Sequence, residues 1–409
     1  ALLARAALAR GGVGISVFDP DEKLVALLEE ALAALGSEQP ALRARLLARL
    51  AVEVYYVPPP SYREELSEEA VRLAREAGEP ASLLDALMAR RVALWSPDRL
   101  DDRLAVSREL VELAEASGER ERSLLARTWL VLDLVESGHL DAARAEIAAY
   151  EQLVEPLGIP AYSWWARAWG AMLAGLEGRF DDARALAQEA RAIGDRAGDA
   201  NAALYQEMAC WTADLQQGRD PERWIPVIEA GIARGISAFR CGLAMQYAVA
   251  GRLDQAREEL ARLGPGGFGA IVRDMNFFAA AAEFAVAVGA LGDARRAAEA
   301  YEVLRPYAGR MFTIARAAVC WGPADAFLGR LAATAGLHEA AEHHFEDALA
   351  ACERLGARAL GARTRWWYAA SLNARGAPGA AERAAQLEAA ARTEADALGL
   401  ALEPSAAAA

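Results

Sequence analysis

Apolar and small residues recur along this chain at helical spacing, and glycines punctuate them at a repeating interval. The stretch Gly336 to Gly356 shows the unit most plainly. Gly336 is followed by Ala341, Phe345 and Ala348, which at i, i+4 and i+7 share one helical face. A glycine just ahead of such a face suits the tight turn between two antiparallel helices. Gly138-His139-Leu140-Asp141-Ala142-Ala143-Arg144 is matched by Gly178-Arg179-Phe180-Asp181-Asp182-Ala183-Arg184 and by Gly251-Arg252-Leu253-Asp254-Gln255-Ala256-Arg257. Weaker copies begin at Gly289, Gly336 and Gly376, and Gly218 fits the phase although Arg223 replaces the alanine. The gaps from Gly138 onward are 40, 40, 33, 38, 47 and 40 residues. That period predicts a solenoid of helical hairpins rather than a bundle. The acid shortly after each glycine suits the start of a second helix, where free amides and the dipole favour negative charge. The small alanine lets that helix approach its neighbour closely.

Upstream, helices are marked by their punctuation. Asp19-Pro20-Asp21-Glu22 reads as a helix start, Gly36-Ser37 as its end and Pro40 as the opening of the next. Pro58-Pro59-Pro60 forces a break. Helices are then expected over 61–77, 81–95, 100–116 and 121–136. The organisation predicted is degenerate hairpins over 1–137, regular repeats over 138–400 and a linker or terminal tail over 401–409. Gly264-Pro265-Gly266-Gly267-Phe268-Gly269 superficially suggests a phosphate loop. It has neither a preceding strand nor a following Lys-Ser/Thr pair, so it reads as a loop between hairpins.

Composition narrows the class. Ala, Leu, Arg and Glu dominate, all strong helix formers, and no alternating strand-like run with hairpin turns stands out. The fold class is therefore all-α. A net charge of −14, with Lys23 the single lysine and no basic run, argues against a nucleic-acid surface. Cys210, Cys241, Cys320 and Cys352 are widely spaced in apolar helical contexts and read as free thiols in a reducing cytosol. No signal peptide is visible. Phe277 to Leu291, the most apolar stretch, is too short for a membrane span and carries Glu283.

Catalytic chemistry finds no footing. His338, Glu339 and His343 invite comparison with HExxH, but the histidines are five apart and leave one face. His338 and Glu342 form at most a two-ligand surface site. GxSxG and GxxxxGK[ST] are both absent. The expectation is a non-enzymatic chain without cofactor or metal.

The repeat, with Leu328-Gly329 ahead of Gly336 and then Ala341, Phe345 and Ala348, resembles the tetratricopeptide repeat. Longer phrases add to it: Ser67 to Gly78, Ala93 to Leu100, and Leu328 to Ala332 running into the Gly336 repeat and Glu353 to Ala357. Together they resemble the helical-repeat region of large bacterial multidomain ATP-binding regulators of the STAND or AAA type. Such regulators carry LuxR-type helix-turn-helix or nucleotide-cyclase domains elsewhere. The resemblance implies a tetratricopeptide-like superhelix of about nine or ten hairpins. It implies a cytoplasmic sensor or scaffold arm that binds a protein partner or small-molecule effector in its concave groove. A flanking ATPase domain of the same polypeptide would be a further partner, with no direct contact to nucleic acid or membrane. A structural or oligomerisation arm without a ligand is the alternative.

The turn glycine sets the phase of the groove. Counting back thirteen, ten and six residues from Gly178 gives Trp165, Ala168 and Met172. The same count from Gly376 gives Arg363, Trp366 and Ala370, and from Gly336 it includes Arg330. Trp, Met and Arg supply anchoring area in recognition surfaces. Trp165, Met172, Arg330, Arg363 and Trp366 are therefore the expected binding residues.

Overall fold

The computed structural model describes residues 2–10, 21–36, 39–233, 235–376 and 378–402. The helix start expected at Asp19-Pro20 and the tail from Glu403 onward lie outside the described residues. Among the described residues the chain forms twenty α-helices and one antiparallel β-hairpin. It is an all-α helical-repeat fold, as the glycine period predicts. The chain divides into two units, Ala1–Asp133 and Leu134–Ala409.

The first unit holds α1 (Leu2–Arg10), α2 (Glu22–Leu35), α3 (Pro40–Glu53), α4 (Pro60–Ala77), α5 (Pro80–Ala93), α6 (Leu100–Ala116) and most of α7 (Arg120–Glu136). Asp21 caps α2 by accepting from the backbone N–H groups of Lys23 and Leu24 at 3.1 and 3.0 Å. Pro40, Pro60 and Pro80 open α3, α4 and α5, where a missing N–H costs nothing. Gly78 ends α4 in the left-handed conformation.

The interior of this unit contains a fully buried charge cluster. Arg91 of α5 donates two hydrogen bonds to Asp133 of α7, at 2.8 and 2.6 Å. The Ser107 hydroxyl donates to the same carboxylate at 2.7 Å, and Arg103 approaches it at 3.4 Å. The Arg91 guanidinium also lies 4.5 Å over the Trp129 ring. The Asp133 carboxylate thus faces two buried guanidinium groups. Removing the Asp133 charge should be costly, because breaking one side of a buried ion pair is strongly destabilising. Asp133→Asn is expected to lower unfolding free energy by roughly 3–5 kcal/mol in urea denaturation. A loss below about 1 kcal/mol, the range of exposed ion pairs, would contradict this role.

The second unit continues with α8 (Leu140–Val154), α9 (Pro160–Leu176), α10 (Phe180–Ala197), α11 (Ala200–Gln217) and α12 (Ile225–Ala233). Then follow α13 (Phe239–Val249), α14 (Leu253–Ala261), α15 (Phe277–Leu291) and α16 (Ala294–Leu304). A hairpin of β1 (Met311–Ile314) and β2 (Val319–Pro323) precedes α17 (Ala324–Thr334), α18 (His338–Leu355), α19 (Arg358–Arg375) and α20 (Ala380–Leu398). α9 packs on α11, α13 on α15, α15 on α17 and α17 on α19, with the even-numbered helices backing them. Glycines with positive φ occur at 138, 158, 178, 198 and 218, so both kinds of turn, within and between hairpins, use glycine at a 20-residue beat.

Gly251, Gly336 and Gly376 also lie at turns with positive φ. Gly289 does not, and the expectation for it is corrected: it lies inside α15, whose left-handed cap is Gly292. Its role is close approach. A methyl group on Gly289 would lie 2.1 Å from Nε of Arg330. The Gly264–Gly269 loop ends in a short 3-10 turn that buries Phe268 against Phe277 and Phe284.

The β-hairpin was not legible as strand. Both strands are buried on both faces, so no polar alternation marks them. The register shifts between Phe312 and Thr313, leaving Trp321 as the extra residue of a bulge.

The Leu-Gly pair has a direct physical purpose. A methyl on Gly329 of α17 would lie 2.6 Å from the Phe345 ring of α18, which is fully buried and stacked on Tyr368. Alanine gains up to about 1 kcal/mol over glycine in a helix, but overpacking costs about 1–3 kcal/mol. Gly329→Ala is expected to destabilise the second unit by roughly 1–2 kcal/mol, read as a lower melting midpoint by circular dichroism. A raised midpoint would mean that propensity outweighs packing here.

Candidate functional site

The hairpin decides what the inner face of the second unit can do. β1 packs on α15, and β2 packs on α9, α11, α17 and α18. Phe312 stacks between Phe278 and Phe327, with ring centroids 4.9 and 5.4 Å away. The bulged Trp321 lies 5.8 Å from Trp211 and 6.1 Å from Phe327. The tip reaches furthest. Arg316 places its guanidinium 4.7 Å over Trp165 of α9. Its backbone N–H donates to the Tyr205 hydroxyl at 3.2 Å, and that hydroxyl donates to the Arg316 carbonyl at 3.4 Å. Burial pushes the Tyr205 phenol up to about 12, so it stays neutral and serves as both donor and acceptor.

Trp165 belongs to a cluster. It stacks on Trp164 at 4.2 Å and meets Tyr205 edge-on at 5.2 Å, while Trp169 joins it to Tyr150. Trp164 Nε1 donates to Asp199 at 3.2 Å, and Asp199 also caps α11 through the Asn201 N–H. Burial lowers the Arg316 guanidinium below its ordinary value, and the contacts with Tyr205 and the nearby Asp199 oppose that shift.

Beside the hairpin lies a small cavity of about 30 Å³. Met172 and Leu176 of α9, Thr212 and Gln216 of α11, Cys320 and Trp321 of β2, and Leu360 of α19 contribute to its wall. Thr212 Oγ1 and Trp321 Nε1 are buried there without a hydrogen-bond partner among the described residues. The repeats close on themselves around this point. Arg363 of α19 donates to Gln216 at 2.9 Å and to the Ala401 carbonyl at 3.2 Å. The Ala401 N–H donates to the Gln216 carbonyl at 2.9 Å. Leu398 packs so tightly that a methyl on Gly178 would lie 2.9 Å from it.

The expected exposed groove is therefore corrected. Trp165 is 4% exposed and lies under Arg316; Met172 is 3% exposed and lines the cavity. Arg330 and Arg363 are each 7% exposed. Arg330 lies 4.4 Å over Trp367 and donates to the Val286 carbonyl at 3.0 Å. Trp366 is half-buried, with Arg392 of α20 4.9 Å over its ring. The structure brings Trp165, Met172 and Arg363 to the enclosed inner face, with Arg330 between α15, α17 and α19 and Trp366 against α20.

The histidines part company. His343 is exposed beside Asp347, and Glu342 pairs with Arg375 instead of sharing a ligand with His338. His344 is buried, bonded to Asp325 at 2.8 Å and within 3.3 Å of the Tyr301 hydroxyl. Asp325 in turn accepts from the Gly309 N–H at 2.7 Å, fastening the approach to the hairpin. Sequence reasoning passed over His344, although it falls three residues after Ala341 and four before Ala348, on the apolar face. Among the described residues no group of three or more His, Cys, Asp or Glu could hold a metal. No described helix is long and apolar enough to cross a membrane. The cysteines are free; Cys210 is half-buried, and burial pushes the Cys320 and Cys352 thiols up to about 12. The chain matches no protein-family model and no curated protein.

Glu283 is another buried acid that these helices carry. It lies on α15 against Gly242 of α13, 8% exposed, and no described side chain forms an ion pair with it. Its titratable neighbour is Cys241, whose thiol is raised by burial first and then by the Glu283 charge. Burial pushes the Glu283 carboxyl well above its ordinary 4.5. Folding thus favours the protonated acid. The carboxyl costs nothing below the unfolded value and progressively more as pH rises towards the folded one. Glu283→Gln is expected to stabilise the second unit at pH 7, because the amide is never ionised there. The gain should vanish near pH 4, below the ordinary carboxyl value. Thermal unfolding at both pH values reads this directly, and an equal gain at each would refute the ionisation argument.

Proposed function

We propose that this chain is a non-catalytic, cytoplasmic sensor or scaffold arm of a multidomain ATP-dependent signalling or transcription regulator. Its second unit receives a protein partner or small-molecule effector on the inner face of its repeats. The tetratricopeptide-like phrases around Gly138, Gly178, Gly251 and Gly336 support the family reading. The cavity where early and late repeats meet around the hairpin carries the binding reading. Apolar side chains make up most of its lining residues, and two of those residues, Thr212 and Trp321, each hold a buried polar atom without a partner among the described residues. Apolar walls with a few convergent polar groups are the usual make-up of a ligand site.

A free volume of about 30 Å³ holds roughly two waters. A larger effector enters only if the hairpin or α19 moves, so binding and closure of the repeats would be coupled. That coupling is what a sensor requires. The covered inner face favours a second reading, a structural or oligomerising arm with no ligand of its own.

A panel of sugars, amino acids and nucleotides, screened by thermal shift, separates the two. The sensor reading expects at least one member to raise the melting midpoint. The double variant Thr212→Val, Trp321→Phe should weaken that ligand roughly fivefold or more, the effect of losing about 1 kcal/mol of hydrogen bonding. If no member shifts the midpoint while the chain self-associates with concentration, the structural reading holds instead.

A further inference from the structure

We propose that the aromatic cluster of α8, α9 and α11 is a guanidinium-binding seat. The chain's own Arg316 occupies it in this state, and an arginine presented by a partner segment is the ligand it would take in exchange. The proposal deepens the reading of the inner face as a receptive surface and commits it to the protein-partner branch.

Recognition of Arg316 uses both its side chain and its backbone. The guanidinium is 4.7 Å over the Trp165 ring, within the range of a cation–π contact. One phenol, Tyr205, binds both the N–H and the carbonyl of the same residue. Asp199 adds negative charge that acts on the guanidinium through space. A flat, weakly hydrated guanidinium suits an indole face better than a compact ammonium does. The residue type is thus read by shape and charge, and the segment by its main chain, as peptide-binding sites do.

The seat and its occupant are separate pieces of the chain. Tyr150, Trp164, Trp165, Trp169 and Tyr205 hold one another through ring contacts within three helices. Tyr205 and Arg316 are 111 positions apart. Withdrawal of the hairpin leaves these ring contacts in place. The tip itself is held in a disfavoured conformation. Ala315 and Ala317, on either side of Arg316, both have φ of +52°, a region that residues with a Cβ seldom adopt. A tip under such strain is easier to displace than a relaxed one, because leaving the seat releases the strain.

The test uses the whole chain and two peptides, acetyl-Ala-Arg-Ala-amide and its citrulline counterpart, which keeps the shape and loses the charge. Arg316→Gln vacates the guanidinium seat while keeping the backbone contacts to Tyr205. Titration followed by tryptophan fluorescence should give at least about tenfold tighter binding of the arginine peptide to this variant than to the wild type. The citrulline peptide should bind about tenfold more weakly than the arginine peptide. Asp199→Asn, which retains the cap acceptor, should weaken arginine-peptide binding several-fold in the Arg316→Gln background. Arg316→Lys is the second variant, should Arg316→Gln fail to fold; it too should bind the arginine peptide more tightly than the wild type. A folded variant that binds both peptides equally, or neither, overturns the proposal. Such a failure leaves the effector-cavity reading to its own ligand panel, since that rests on Thr212 and Trp321 rather than on the aromatic cluster.

Discussion

Each hairpin of a helical-repeat array buries its apolar stripe against its neighbours, so the inner face of the array must be solvated, liganded or covered. In the second unit it is covered, and the cover is thirteen residues of the chain itself, Met311 to Pro323. Everything else about the inner face follows from that docking. Phe312 and Trp321 fill the space between inner helices, which explains why α15 and α17 carry Phe278 and Phe327 there. The bulge at Trp321 turns one more aromatic ring off the strand pairing and towards Trp211. Arg316 then carries the contact across to α9 and α11.

The architecture was legible because its determinants are local. A turn glycine, an acid at the following helix start and a small residue at the helix contact recur in fixed order, and each has its own physical cause. Prolines did the same for the first unit, where Pro40, Pro60 and Pro80 each open a helix. The error at Gly289 shows the limit of such reading. Glycine is called for both by a positive φ and by a neighbour too close for a methyl group, and the letter does not say which. Gly289 and Gly329 serve the second purpose, against Arg330 and Phe345. Of the inter-hairpin glycines, Gly158 is followed five residues on by Ser163, and Gly198 has Ala203 there but Glu207 where an apolar residue should follow, so half of the 20-residue beat went unread.

The site was less legible, for a physical reason. Trp, Met and Arg are the residues a recognition surface uses, and they are also what the interior uses when one part of a chain recognises another. Trp165 and Met172 are both buried, one under Arg316 of the hairpin tip and the other on the cavity beside the hairpin. Nothing in the segment from Met311 to Pro323 announces a hairpin. Its strands are too short and too evenly buried to alternate, and alanines, not Asn-Gly, make the left-handed positions of its turn. Arg363 was likewise expected in an exposed groove and is buried. Its partners are Gln216 and the Ala401 carbonyl, on a helix far away in sequence and on the segment after the last helix.

Closure of the second unit joins polar contacts between distant parts of the chain to an apolar cluster of Phe180, Ala213, Ala359, Ala362, Ala395 and Leu400. A cation–π contact contributes about 0.5–2 kcal/mol, and a hydrogen bond from a charged group about 1.5–3 kcal/mol. The Arg316 and Arg363 contacts together therefore amount to several kcal/mol, less the cost of the strained tip. That magnitude matters for a switch. Carrying a two-state equilibrium from 1:99 to 99:1 takes a differential affinity of about 5.5 kcal/mol. Closure much stronger than this would be locked against any ordinary ligand, and closure much weaker would be open without one. On the proposed sensor reading, an effector must supply a differential affinity of that order against contacts that include Phe312, Trp321 and the Phe180 cluster as well as Arg316 and Arg363.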